Sequence, residues 1–300
     1  MRLPAASASL LFTALLARPG CLHAQTAGRQ PAASNPTAGA ATTLKALRPI
    51  VSQFEDGQPV DASQPFQAGE TLFFSFVTDG YKVGTTGQVK LTGHFETLDP
   101  QGILIVPRDE QVIGTTLSQE DKQWRPKFRA QFQIPSIAPP GTYKIRYDAA
   151  DQQSGQTTAG EVSFKVSGRA VEPSTGLVVR GLGFYRTQDD EAALKVPAFR
   201  AGDMVWVRCD ITGYKYGEQN SIDVSYDVAV LAPGGKQLFS QEDAAVEKSQ
   251  AFYPQPWIPV DFNITLQPNA APGLYTMIIT AHDNQGHQTS ESRAEFRVQE

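Results

Sequence analysis

The chain repeats itself. Phe66-Gln67-Ala68-Gly69-Glu70 is answered by Phe199-Arg200-Ala201-Gly202-Asp203, and Gly80-Tyr81-Lys82-Val83-Gly84 by Gly213-Tyr214-Lys215-Tyr216-Gly217. Leu98-Asp99-Pro100-Gln101-Gly102 matches Leu231-Ala232-Pro233-Gly234-Gly235, and Phe132-Gln133-Ile134 matches Phe262-Asn263-Ile264. Ala138-Pro139-Pro140-Gly141-Thr142-Tyr143 matches Ala270-Ala271-Pro272-Gly273-Leu274-Tyr275, and Phe164-Lys165-Val166 closes against Phe296-Arg297-Val298. Matches in one order at near-constant spacing define a duplicated unit. The copies run from Leu44 to Gly168 and from Thr175 to Glu300, with Arg169–Ser174 as a short joint that predicts limited interdomain motion.

Each copy is patterned for strands. Thr71–Val77 and Met204–Cys209 are aromatic and β-branched, and Val205, Val207 and Cys209 alternate with Trp206, Arg208 and Asp210. Further strands are expected at Ile50–Phe54, Val89–Thr97, Ile103–Val106, Phe128–Ile134, Thr142–Tyr147 and Gly160–Val166. No sustained helical period occurs in either copy. The fold class expected is all-β: two tandem immunoglobulin-like β-sandwiches of about seven strands each.

The first 43 residues are of another kind. Arg2 followed by apolar Ala5–Ala17 reads as a secretory signal (1–24), too short to span a bilayer, with cleavage after Ala24. Lipidation at Cys21 fits less well, because Arg18-Pro19-Gly20 departs from the apolar-small-small triplet that precedes a lipidated cysteine. Gln25–Thr43 is Ala, Thr, Ser, Gly and Pro, a flexible tether. An exported protein, periplasmic or extracellular, follows. Cys209 then stands alone in the mature chain, so no internal disulfide is available. The chain carries 26 basic and 31 acidic residues, and signal removal takes Arg2 and Arg18 and no acid. An acidic protein of this kind is not built for nucleic acid.

The order Ala-Gly-Glu before a strand, Asp99-Pro100-Gln101-Gly102, Ala138-Pro139-Pro140-Gly141-Thr142-Tyr143 and a closing Phe164-Lys165-Val166 resembles the macroglobulin-type, fibronectin-III-like sandwich domains of the α2-macroglobulin family and of many bacterial surface proteins. The resemblance covers both copies and rests on turn and core residues, so it implies fold more than activity. The family's thioester lies in a Gly-Cys-Gly-Glu-Gln motif of a separate domain. Gly217-Glu218-Gln219 has no cysteine before it, and a covalent protease trap is not implied.

The Gly-Tyr-Lys loops are the repeated feature with two readings. Tyr81 with Lys82, and Tyr214 with Lys215, form a partner-binding surface, or the glycines make tight turns and the tyrosines cap the core. Trp124 and Trp257, in the matching segments Gln123–Pro126 and Phe252–Trp257, either pack on the sandwich edge or form an exposed recognition strip. Tyr143 and Tyr275 fit the tyrosine corner of Greek-key sandwiches. Cys209 shares a strand face with Val205 and Val207 and reads as a buried thiol. His282, Asp283 and His287 cluster at a hairpin tip, but a metal site there would be private to one copy. No catalytic, cofactor or metal set is expected.

These features predict a non-enzymatic interaction, adhesion or scaffold module for an extracytoplasmic protein or glycan. Two other classes stand beside it: a macroglobulin-like accessory or protease inhibitor without thioester, and a polysaccharide-acting enzyme with an unrecognised site.

Overall fold

The computed structural model describes residues 43–121 and 123–300. The expected signal, Cys21 and all of the expected tether but Thr43 lie outside the described residues.

In the first half the strands are β1 (Lys45–Ser52), β2 (Phe66–Gln67), β3 (Thr71–Asp79), β4 (Gln88–Leu98), β5 (Asp109–Thr116), β6 (Lys127–Gln133), β7 (Gly141–Asp151) and β8 (Thr157–Ser167). They form two sheets, β1-β3-β6 and β2-β8-β7-β4-β5. The second half has β9 (Val178–Tyr185), β10 (Ala198–Arg200), β11 (Met204–Thr212), β12 (Ile222–Leu231), β13 (Gln237–Ser249), β14 (Trp257–Thr265), β15 (Gly273–Asp283) and β16 (Gln288–Gln299). Its sheets, β9-β11-β14 and β10-β16-β15-β12-β13, repeat the same order. The fold is two tandem β-sandwiches.

The entry strand of each copy leaves one sheet and joins the other. β1 pairs antiparallel with β3, while β2 runs parallel to β8; β9 and β10 do the same. That switch turns about seven expected strands into eight per copy.

Alternation sets the cores. Leu72, Phe74 and Phe76 of β3, and Tyr143, Ile145, Tyr147 and Ala149 of β7, point inward and are buried. The two interiors are filled differently. Phe76 stacks on Phe128 across β3–β6 at 5.1 Å between ring centroids, and the Phe128 ring lies where a side chain on Gly93 would sit. The matching pair across β11–β14 is Cys209 opposite Val260. There Tyr226 occupies the place of Gly93, since both stand opposite an alanine, Ala281 and Ala149. A large residue moves from one wall to the other, as close packing demands.

Two expectations shift. Ile103–Val106 is not a strand: Ile105 drops into the core, and a single bridge joins Leu98 and Leu104. The strand is β5, an edge strand with few buried residues and hence little alternation to read. The Phe132 and Phe262 segments are matched two residues out of register. Ile134 bonds Glu70 through its N–H, and Leu266, not Ile264, does so with Asp203. A slip of two leaves strand alternation unchanged, so the pattern cannot reveal it.

Candidate functional site

The Gly-Tyr-Lys loops follow β3 and β11 at the same end of each sandwich. Gly80 and Gly213 have φ of 77° and 79°, and a Cβ there would collide with the backbone of Thr43 or Gly176. The incoming chain crosses too closely for any other residue. The closing glycines, Gly84 and Gly217, lie under the amide oxygens of Gln153 and Gln285.

Between the glycines, the tyrosine and the lysine of each loop have partners. The Tyr81 hydroxyl donates to the Trp124 carbonyl at 2.6 Å, and that of Tyr214 to the Gln255 carbonyl at 2.5 Å. Burial, with Asp79 nearby, pushes the Tyr81 phenol up to about 12; burial raises Tyr214 as well. The Lys82 N–H donates to Asp151 Oδ2 at 2.8 Å, and the Lys215 N–H to Asp283 Oδ2 at 2.9 Å. Each aspartate is the last inward residue of its strand and is 1% exposed. Asp151 also accepts from the Gln153 N–H and the Ser154 hydroxyl, and Asp283 from the Gln285 and Gly286 N–H groups. Burial raises the Asp151 carboxyl, but the hydrogen bonds outweigh it and leave the net shift downward. Hairpin tip and Gly-Tyr-Lys loop are thus one unit, joined by a buried carboxylate. The identity of Asp151 and Asp283 at one offset was the sequence signal for it.

The six candidate residues separate by exposure. Lys82 and Lys215 have exposed side chains, Tyr81 and Trp124 are half-buried, and Tyr214 and Trp257 are buried. Tyr81 and Trp124 meet edge to face at 6.1 Å. Trp257 begins β14, whereas Trp124 precedes β6, so the tryptophans are not equivalent: the Tyr214 hydroxyl goes to Gln255, two residues before Trp257. At the loop tips Val83 and Tyr216 are 46% and 42% exposed.

The remaining candidates are accounted for locally. Tyr143 and Tyr275 donate to the carbonyls of Pro139 and Ala271 at 2.7 and 2.8 Å, a tyrosine corner in each copy. Cys209 is buried, and burial together with the Asp210 charge pushes its thiol up to about 12. His282 Nε2 lies 2.8 Å from Asp227, and His94 Nδ1 2.8 Å from Asp148, on equivalent sheet faces. No group of three His, Cys, Asp or Glu residues among the described residues is placed to hold a metal ion. An open depression beside the second loop has Glu218 and Asp223 on its lining, with Asp223 tied to Lys248 and Asn284. Its counterpart beside the first is lined by Gln88, Lys90, Gln152 and Gln153 and has no carboxylate.

Tyr253 and Arg169 were not singled out by their sequence. Tyr253, in the turn before β14, is buried within the core of the first sandwich, and its hydroxyl donates to Asp99 Oδ2 at 2.9 Å. Arg169, after β8, pairs with Asp210 of β11 at 2.5 Å and lies over the Trp257 ring at 5.1 Å. The loop end of the second sandwich therefore abuts the base of the first. Among the described residues, the hydrogen-bond and ring partners of Tyr81, Lys82 and Trp124 at the loop end of the first all lie within that sandwich.

The fold and these loops define a class: tandem immunoglobulin-like β-sandwiches. No protein-family model matches the chain, and no curated protein does. Among solved structures, the C-terminal domain of the Streptococcus pyogenes antigen I/II-family protein AspA aligns at 11% identity and a TM-score of 0.31, covering 86% of this chain and 100% of that one. The C-terminal domain of the Streptococcus agalactiae AgI/II polypeptide BspA aligns at 11% identity and 0.29, covering 84% and 100%. Likenesses this slight say nothing of function. No helix among the described residues is long and apolar enough to cross a membrane.

Proposed function

We propose that the chain is an exported, non-catalytic interaction and scaffold module, in which the loop end of the first sandwich contacts an extracytoplasmic protein or glycan. One observation supports this most. Equivalent ends of the two copies have different fates: Trp257 of the second is buried under Arg169, while among the described residues Lys82 of the first is exposed and Tyr81 and Trp124 are half-buried. An aromatic pair beside a free ammonium and an exposed valine suits recognition of a polar partner with an apolar face. In this reading residues 44–168 and 175–300 are the two modules and 169–174 the joint. The resemblance to macroglobulin-type domains is one of architecture. Export rests on the signal and tether read from residues 1–43.

The test is retention of the purified protein on isolated cell-envelope fractions. Lys82→Glu with Val83→Asp, both at exposed positions, should weaken retention about tenfold or more, near 1.4 kcal/mol. The same changes at Lys215 and Tyr216 should matter less. Equal retention of all forms would remove the proposal.

A further inference from the structure

We infer that Tyr253 and Asp99 are a plug and socket that, with a clasp at Arg169, lock the two sandwiches into one rigid rod. The inference goes beyond the proposed binding role and does not depend on it.

The plug is a residue of one sandwich completing the core of the other. Tyr253 is 7% exposed and packs among residues of the first sandwich. Its acceptor, Asp99, is 4% exposed and already organises its own turn, Oδ1 taking the N–H groups of Gln101 and Ile103. Oδ2 remains for the tyrosine. A buried phenol meeting a charged acceptor held by its own turn has one good geometry, so the contact fixes orientation as well as distance.

The plug is itself braced. Tyr214 and Tyr216 both donate to the Gln255 carbonyl, and Asn220 donates to the carbonyls of Ala251 and Phe252. In the second sandwich the Gly-Tyr-Lys loop is thus a platform that aims Tyr253.

The clasp works from the other side. Asp210 points away from the core of its own sandwich, yet is 5% exposed. Arg169 binds its Oδ2 and stacks on Trp257, while Arg180, opposite Asp210 in the β9–β11 register, reaches back to Glu172 and the Pro173 carbonyl. Strand and connector are stapled at three residues. Paired modules with small polar interfaces move by default; a core residue donated across the joint and a charge buried beneath the connector remove that freedom.

Both parts are private to this junction. The position of Asp99 is Ala232 in the second copy, and the turn matching that of Tyr253 carries Ser118, Gln119, Glu120 and Asp121. The base of the second sandwich lacks the carboxylate, so the same contact does not propagate from chain to chain.

The full chain tests this by backbone ¹⁵N relaxation and small-angle scattering. The wild type should give one rotational correlation time for both sandwiches and the scattering of a single elongated particle. Tyr253→Ala with Arg169→Ala should give two shorter times and a broadened distance distribution, with far-UV dichroism unchanged. Asp99→Ala, which leaves the plug loop intact, should shift the times the same way. Separate times in the wild type, or a single shared time in folded variants, would overturn the lock.

Discussion

Replacing Asp151 by alanine removes the acceptor on which the Lys82 N–H, the Gln153 N–H and the Ser154 hydroxyl converge, at 2.8, 2.9 and 2.6 Å. The hydroxyl can turn to another acceptor, but the two peptide groups cannot. A buried N–H left without a partner costs about 1–3 kcal/mol, and the loop's exposed flank admits some water, so a loss of about 2–4 kcal/mol is expected. Asp151→Asn keeps one oxygen but turns an NH₂ toward a donor, and should fall between wild type and alanine. Urea denaturation measures the loss, with an unchanged slope marking a true stability effect. Hydrogen exchange locates it, because the Lys82 amide should lose protection while the second sandwich does not change. Asp283→Ala should do the same to the Lys215 amide. Asp109→Ala, at an exposed strand position, is the control and should stay within about 0.5 kcal/mol. A loss below that for Asp151→Ala, or an unchanged Lys82 amide, would refute the idea that a buried carboxylate holds the loop.

Other outcomes follow from single contacts. Tyr275→Phe removes the bond to the Ala271 carbonyl and should cost about 1 kcal/mol in the same denaturation assay. Cys209, pushed up to about 12 by burial and the Asp210 charge, should not react with a thiol reagent in the native protein and should react at once in denaturant. Cys209→Val should cost less than about 1.5 kcal/mol. Asp56 is held at about 2 by hydrogen bonds from Arg129 and Lys127, below its ordinary 3.8. A depressed carboxyl contributes stability that is complete above 3.8 and lost as pH falls through about 2. Asp56→Asn should therefore flatten the acid limb of the stability profile, read from thermal midpoints, with its full loss at neutral pH and little effect at about pH 2.

The duplication made the architecture legible, because turn glycines, Pro-Gly corners and inward aromatics are constraints that each copy states separately. The corner tyrosines were legible for the same reason. β5 was not, since an edge strand with one face in water has few apolar residues to alternate. The slip between Phe132 and Phe262 was hidden by the two-residue period itself. In the Gly-Tyr-Lys loops the repetition was visible, as was that of Asp151 and Asp283, but not the bond between loop and aspartate, because the acceptors lie far along the chain. Tyr253 was the least legible. It pairs with a residue of the other copy, at positions where the copies differ, so neither local pattern nor internal repetition points to it. The two histidines paired with aspartates show the same limit, since His94 and Asp227 exchange roles at one place in the fold.

The most direct test of the account contrasts the loop tips that duplication made equivalent. A photo-crosslinking residue at position 83, and in a second protein at position 216, would be activated on intact cells expressing the full chain. Both sites are exposed, so reactivity alone does not distinguish them. The account predicts a discrete intermolecular adduct from position 83 and none of that mass from position 216. An adduct from position 216 alone, or the same adducts from both, would contradict it.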